Sequence, residues 1–372
     1  MDKIKTKIGV IGGGASGLLF SYLVKKLAPS TVEVCIFEKN DKVGKKILAT
    51  GNGKCNLSNA NLGAGLYNCR FAEDIISKID ENYVKNVFLE LGIITKTDKE
   101  GRIYPYSLSA NSVLDALYEA NLNLNNKIIT NHEVKDIKYE NKMFYIDELA
   151  FDYLIMACGG KANTKNNNLI GEILTKFGHK WVVDHPGLCS IETVDATASL
   201  NGIKVKANVS INNHNFDGEV LFKNNGLSGI AIFEASRYVK SGDIIHLDLM
   251  SEYDEAALTK LIPDLKTFNH TFPKMVAKDI LTRANNDLKK AIKIIKDYKF
   301  SVKKLASYEN AQIMVGGIDT DDVKNSLESK LISNLYILGE VLNVDGTCGG
   351  YNLHFAWASA IIASKNIADG LK

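Results

Sequence analysis

Three glycines, Gly12, Gly14 and Gly17, interrupt the stretch "KIGVIGGGASGLLFSYLVKK" between a short apolar run and a longer one. They fit the pattern G-x-G-x-x-G. In that pattern the first glycine permits a tight turn and the second lets the backbone approach a pyrophosphate. The third lets the following helix pack closely on the strand before it. The helix that opens here offers free N–H groups and its positive dipole end to phosphates. Glu38 stands about twenty residues further on, at the end of the next apolar run, where a carboxylate suits ribose hydroxyls. Strand, glycines, helix, second strand and acid together describe a dinucleotide cradle.

Two later segments separate a flavin from a nicotinamide. "LIMACGG" (154–160) is a strand running into Gly159-Gly160, the kind of segment that returns to the same cofactor. "LYILGEVLNVDGTCGGYNLHFAWASA" (335–360) brings Gly339-Glu340 after a strand, and an acid there can hold ribitol hydroxyls. Gly349-Gly350 then open a final helix whose N-terminus can face the flavin N1–C2=O edge. That edge gains negative charge on reduction, so a helix N-terminus stabilises the reduced form. A nicotinamide domain needs no such return, and the expected cofactor is FAD. No second strand–GxGxxG–helix unit occurs. If NAD(P)H is the electron donor, it must bind transiently in the substrate cleft.

The elements that must position these residues follow from periodicity. Ile8–Ile11, Ser16–Leu27 and Val32–Phe37 read as strand, helix and strand, a β-α-β unit of a parallel sheet. Asp74–Leu91 and Ser112–Ala120 read as helices. Lys127–Asn131, Val134–Tyr139, Phe144–Ile146, Phe151–Ala157 and Leu335–Leu338 read as strands. The texture changes after about His185. "IKVKANVSI", "GEVLF" and "DIIHLDL" suggest antiparallel β structure, and Glu252–Val302 is lysine-rich with helical spacing. The expectation is α/β, a discontinuous FAD-binding Rossmann-like domain over 1–187 and 318–372. The inserted domain over 188–317 has a β part (188–250 and 302–317) and a helical part (251–301), and the cleft between domain and insert is where flavin ring and substrate are expected.

Composition bounds the rest. The 372 residues are 45% hydrophobic and 24% charged with net charge +2, a globular balance that gives nucleic acid or an anionic membrane no bulk attraction. Asparagine-rich stretches such as "NNHNF" and "TKNNN" read as solvated loops. The N-terminal lysines before an apolar run imitate a signal peptide, but the glycines fit a nucleotide loop better. No apolar run has membrane-spanning length. The six cysteines form neither CxxC nor paired zinc spacing and the histidines no HxxxH or HExxH, so the expectation is a reducing cytoplasm and no metal. Cys55 and Cys348 both fall in segments expected to border the flavin, and packing is the favoured reading of both.

Five ordered segments resemble the YhiN-like FAD-dependent oxidoreductase family: "VGKKILATGNGKCNLSN" (43–59), "GRIYPYSLSANSVLDAL" (101–117), "GEVLFKNNGLSG" (218–229), "AQIMVGGI" (311–318) and "GEVLNVDGTCGGYNLHFAWASA" (339–360). The resemblance spans essentially the whole chain. It implies an FAD domain split around an insert, in a family that includes aminoacetone oxidases and a reductase of unsaturated keto-bile-acid intermediates. It also implies that Gly12, Gly14, Ala15, Gly17, Glu38, Lys39, Thr50, Gly51, Gly53, Asn56, Val134, Gly159, Gly339, Glu340, Gly350, Tyr351, Asn352 and Leu353 lie near FAD. Asn56 and Asn352 could bond the polar edge of the ring, and Lys45 or Lys46 could balance the pyrophosphate. The chain departs from relatives at Lys223-Asn224-Asn225, where many have Thr-His, at Ile230, where many have Pro, and at His354, where many have Gln. No catalytic acid or base transfers across those changes. Substrate-cleft candidates are Arg102, Tyr104, Arg237 and His354.

The expected function is hydride transfer between FAD and a small organic substrate, with NAD(P)H-linked reduction of a conjugated carbonyl ahead of oxygen-dependent oxidation of a small amine such as aminoacetone. A flavin-binding redox sensor or electron carrier is a third reading. An RNA-modifying flavoprotein is disfavoured by the near-neutral charge and the lack of a basic, aromatic-interleaved stretch. Expected partners are thus a small molecule, with neither nucleic acid nor membrane.

Overall fold

A computed structural model of the chain describes residues 5–162 and 169–372. The asparagines of "TKNNN" (164–168) lie outside the described residues. The first half contains β1 (Thr6–Ile11), α1 (Ala15–Leu27), β2 (Val32–Phe37), α2 (Lys45–Ala49), β3 (Ser58–Asn59), α3 (Arg70–Ile76), α4 (Glu81–Glu90), β4 (Thr95–Thr97), β5 (Arg102–Pro105), α5 (Ala110–Asn123), β6 (Lys127–Ile129), β7 (Lys138–Glu140), β8 (Met143–Ile146), β9 (Leu149–Phe151), β10 (Tyr153–Met156), α6 (Leu169–Lys176) and β11 (Trp181–Gly187). The middle contains β12 (Ile191–Thr193), β13 (Lys204–Ile211), β14 (His214–Lys223), β15 (Gly226–Ser228), α7 (Ile230–Ala235), β16 (Ile244–Asp248), α8 (Glu255–Leu261), α9 (Leu265–Thr271), α10 (Lys274–Arg283), α11 (Leu288–Lys296) and β17 (Tyr298–Leu305). The chain closes with β18 (Ile313–Ile318), β19 (Leu335–Ile337) and α12 (Tyr351–Gly370).

Two compact units result, Met1–His185 with Ile313–Lys372, and Pro186–Gln312. The first holds a five-stranded sheet in the order β19-β10-β1-β2-β6, parallel throughout. Ile8, Val10, Ile36, Leu154 and Ile155 are fully buried. That explains why these strands read as unbroken apolar runs rather than alternating ones. Helix α1 packs on α12 and α5. Residues 313–317, expected inside the insert, instead belong to β18, which pairs with β11. The single helix expected over Asp74–Leu91 is two: the first ends at Ile76 with Ser77 as its C-cap, and Asp80 caps the second by accepting from Tyr83 N at 2.7 Å. The expected strand Phe151–Ala157 divides at Asp152, whose carboxylate accepts from Lys7 N at 2.8 Å. Of the expected strand Val134–Tyr139 only the end survives, as the start of β7.

The second unit is a closed six-stranded barrel, order β12-β15-β14-β13-β16-β17. Its core includes Val209, Val220, Phe222, Ile245 and Phe300. Helices α8 to α11 form the lysine-rich part, with Asp254, Asp264 and Asp287 accepting from first-turn amides at 2.7, 2.7 and 3.1 Å. The apolar face of α11, Ala291, Ile292 and Ile295, is buried in the same core.

Candidate active site

The loop between β1 and α1 is shaped by steric necessity. Gly12 has φ +105°, and a Cβ there would lie 2.5 Å from Ala157 O and 2.6 Å from Cys158 Cα. A Cβ on Gly17 would lie 2.0 Å from Gly12 O, so only glycine lets α1 seat on the turn. Gly14 differs: a Cβ there would meet nothing within 4 Å. It occupies the N-cap of α1, which has no side-chain cap and no acid in its first turn, leaving first-turn amides without intrahelical acceptors. Open space and free donors therefore coincide at the glycine expected to approach a pyrophosphate, with Ala15 opening the helix beside it.

Glu38 is buried at the end of β2. Its Oε2 accepts from Gly13 N at 3.0 Å, and its Oε1 accepts from Asn40 N at 2.8 Å and Asn40 Nδ2 at 2.6 Å. These bonds fix the carboxylate; Oε1 already accepts twice, and Oε2 keeps a second lone-pair direction for a hydroxyl. His132 N donates to Glu38 O and Asn131 N to Asn40 O, so the segment leading to buried Val134 runs beside this corner. Lys39 beside it is exposed, yet burial of its ammonium lowers its pKa, and Cys158, Glu133, Glu38 and Lys46 are near enough to act on it.

A second cluster lies where β10 and β19 end. Gly159 (φ +67°) and Gly339 (φ +61°) make the turns. Glu340 Oε2 accepts from Gly160 N at 2.9 Å and from Lys46 Nζ at 2.7 Å, while Oε1 accepts from Met314 N at 2.8 Å. Lys46 also donates to Gly160 O at 3.1 Å. Lys46 is thus the counter-ion of Glu340, and Lys45 sits at the surface on Asp41. Glu340→Ala should leave two amides without their acceptor and Lys46 with Gly160 O alone. Its flavin retention should fall at least about tenfold, read by equilibrium dialysis, since each bond to a charged acceptor contributes about 1.5–3 kcal/mol.

The third part joins residues 50–59 to the N-terminus of α12. Thr50 Oγ1 donates to Ile47 O at 2.7 Å. Gly51, Asn52, Gly53 and Cys55 all have positive φ, a left-handed run that curls the chain so that a Cβ on Gly51 would touch Asn56 N at 2.9 Å. Asn56 is 8% exposed, and its Oδ1 has no hydrogen-bond partner among the described residues. It adjoins Gly350, the N-cap of α12 at φ +105°, where a Cβ would lie 2.8 Å from Asn56 Oδ1 and 2.6 Å from Ser58 O. Asn59 Nδ2 holds Gly349 O at 3.0 Å. Like α1, α12 opens without side-chain cap or first-turn acid. Tyr351 and Leu353 follow in that first turn, with Tyr351 O accepting from Tyr67 Oη at 2.8 Å. Two uncapped helix N-termini, an open glycine and a buried, unsatisfied carboxamide oxygen fit FAD.

Four expected residues stand elsewhere. The Asn352 carboxamide folds back on Gly346, accepting from its N and donating to its O, both at 2.8 Å; it braces the loop before α12 rather than facing a ring. His354 is fully buried. Its Nε2 donates to Ile79 O at 2.9 Å, so Nδ1 is the acceptor for Ser58 Oγ–H at 2.8 Å. Burial pushes its pKa down to about 4, and a neutral histidine locked on both nitrogens is no cleft residue. Arg102 clamps its own turn, pairing with Asp98 and Glu100 at 2.7 Å each. Arg237 is buried within the second unit, on Glu234 at 3.2 Å and over the Tyr238 ring.

Tyr104 is the candidate that the fold brings to the site. On β5 it is half-buried, with Cε1 3.3 Å from where a Gly51 Cβ would stand. Cys348 lies close enough to act on its phenol, and its hydroxyl has no hydrogen-bond partner among the described residues. Burial pushes Cys55 up to about 12, which makes it a packing thiol. Met314 and Asn59, and the part that the Gly160 amide plays in holding Glu340, escaped the sequence reading. They act through backbone amides or brace a carbonyl, roles that residue type does not advertise. Among the described residues no group of three or more His, Cys, Asp or Glu could hold a metal ion.

The family described as HI0933-like protein Rossmann domain matches residues 6–366. A 3-dehydro-bile acid delta(4,6)-reductase of Clostridium scindens is 30% identical, covering 98% of this chain and 99% of that protein. A ribosomal RNA dihydrouridine synthase of Haemophilus influenzae is 24% identical, covering 96% and 98%. Among solved structures, a 3-ketosteroid delta1-dehydrogenase of Sterolibacterium denitrificans shares the fold at a TM-score of 0.51 and 10% identity, covering 99% of this chain and 100% of that one.

Proposed function

The chain belongs to the HI0933-like Rossmann family, and from that membership and the cradle we infer that it is an FAD-dependent oxidoreductase reducing a carbon–carbon double bond conjugated to a carbonyl, with NAD(P)H as donor. The observation that carries the reading is the full-length likeness to a reductase of a 3-dehydro-bile acid. When bound, FAD supplies the two-electron chemistry. The chain's own residues do the rest. Amides at the start of α1 hold the pyrophosphate across Gly14, and Glu38 takes the adenosine ribose. Glu340, oriented by Lys46, Gly160 N and Met314 N, accepts from the ribitol chain. Asn56 and the first turn of α12 face the ring's polar edge, where the helix dipole favours added negative charge.

A second reading has a specific support. Uracil also carries a double bond conjugated to a carbonyl, and its saturation gives dihydrouridine. The name of the 24% identical relative places that product in ribosomal RNA. The near-neutral charge of the chain, taken above as disfavouring RNA, does not remove this reading. Among the described residues no helix is long and apolar enough to cross a membrane.

The test is an anaerobic stopped-flow experiment. FAD-loaded protein mixed with NADH or NADPH should bleach its visible flavin band. The reduced protein should then recolour with a Δ4-3-ketosteroid acid under the first reading, or with a uridine-containing ribosomal RNA fragment under the second. Failure to bleach, together with peroxide production from aminoacetone in air, would move the assignment to an amine oxidase.

A further inference from the structure

Among the segments that converge on the α12 N-terminus, one half-buried hydroxyl, that of Tyr104, has no protein partner among the described residues. The Tyr104 ring covers the Gly51 turn, and that turn contacts Asn56, whose unsatisfied Oδ1 adjoins Gly350. Strand alternation explains the placing: Ile103 and Pro105 are buried, so Tyr104 projects from the opposite face. Arg102 shares that face but is clamped by Asp98 and Glu100. Tyr104 has no such clamp, and its hydroxyl is without a partner among the described residues. Of the other groups in the cradle, Glu38 and Glu340 accept three hydrogen bonds each, and His354 is buried and doubly bonded. None of these is a free proton donor.

We propose that Tyr104 is the proton donor of the reaction, giving its phenolic proton to the α-carbon of the conjugated carbonyl substrate. This rests on the reductase reading given above. The balance is simple. The C=C bond is reduced by one hydride equivalent at the β-carbon, its electron pair coming from reduced flavin that NAD(P)H has supplied. The new α-carbon C–H bond takes the Tyr104 proton, the O–H bond of Tyr104 breaks, and the phenolate regains a proton from water. Burial holds the phenol above its ordinary range, so the proton is in place at neutral pH. The chemistry is the same for a small enone and for uracil, both of which need one hydride and one proton.

The experiment uses FAD-loaded Tyr104→Phe, photoreduced without oxygen so that no nicotinamide is needed, and mixed with a Δ4-3-ketosteroid acid or a uridine-containing RNA fragment. Parent protein should recolour with at least one acceptor, and Tyr104→Phe about 100-fold more slowly. Tyr106→Phe, at an exposed tyrosine two residues along, should match the parent. A second readout separates proton transfer from binding: recolouring of the parent should be slower in D2O than in H2O, while oxidised Tyr104→Phe should bind the enone as tightly as the parent, because a proton passed only in the reaction adds nothing to ground-state binding. Equal recolouring rates in parent and Tyr104→Phe would overturn the proton-donor role and leave the reductase reading standing. No recolouring of the parent with either acceptor would overturn the reductase reading, and the Tyr104 role with it.

Discussion

Gly14→Ala should fold as well as the parent and lose its flavin. The backbone at Gly14 (φ −91°, ψ −161°) is extended and open to alanine, and the added Cβ meets no atom within 4 Å. Stability should therefore stay within about 0.5 kcal/mol. The space that Cβ enters is the space proposed for the pyrophosphate, so affinity for FAD should drop by about 100-fold or more, the loss expected when a close backbone approach is blocked. Gly17→Ala is the contrasting variant. Its Cβ would stand 2.0 Å from a backbone oxygen with no flexible side chain to yield. It should lose about 3 kcal/mol or more of stability whether or not FAD is present. Thermal melts of apo and FAD-loaded protein separate the two. A normal melt with no retained FAD for Gly14→Ala, and a depressed melt for Gly17→Ala, is the expected pair. Full FAD retention by Gly14→Ala would remove the pyrophosphate assignment.

Acid should destabilise the chain through His354. The folded value of about 4 lies below the ordinary 6.5, so between those pH values the unfolded chain binds more protons. Stability then rises with pH across that window, is fully present above about 6.5, and is lost as pH falls towards 4. A shift of this size corresponds to about 3 kcal/mol. His179 is buried with both ring nitrogens bonded, to Leu174 O and Ser329 Oγ, and its pKa is lowered by burial too. His354→Gln should therefore flatten the melting-temperature profile between pH 4 and 6.5 without abolishing it. An unchanged slope in His354→Gln would mean that the neutral, buried imidazole is not what acid attacks.

The parts of the site that were legible in the sequence are those whose geometry is local. Gly12, Gly14, Gly17 and Glu38 act within one β-α-β unit, and their spacing states the turn, the approach and the packing. Glu340 was legible as an acid at a strand end, but its fixation by Lys46 and two amides was not, because those partners come from three distant segments. His354 was misplaced for a physical reason. Helix α12 is apolar nearly all round, with Phe355, Trp357, Ala358 and Ala360 all buried, so its periodicity marks no exposed face on which to set a polar residue. Asn352 was misplaced because a side-chain amide can replace a backbone partner at any loop. The clamp on Arg102 was legible: "DKEGR" is an acid-led turn with glycine before the arginine, and Asp98 binds Arg102 through backbone and side chain.

The packing of α12 on α1 has a consequence for biosynthesis. Between them the ribosome must make β2 through β19, including all of the barrel unit. At typical elongation rates this takes on the order of tens of seconds. Throughout that interval the face of α1 destined for α12 has no partner, and the sheet lacks its β19 edge. Flavin loading of the kind proposed, through Glu340 and Gly350, would therefore wait until both residues have been made. A nascent chain stalled before residue 335 should capture none, however well its first glycines are formed.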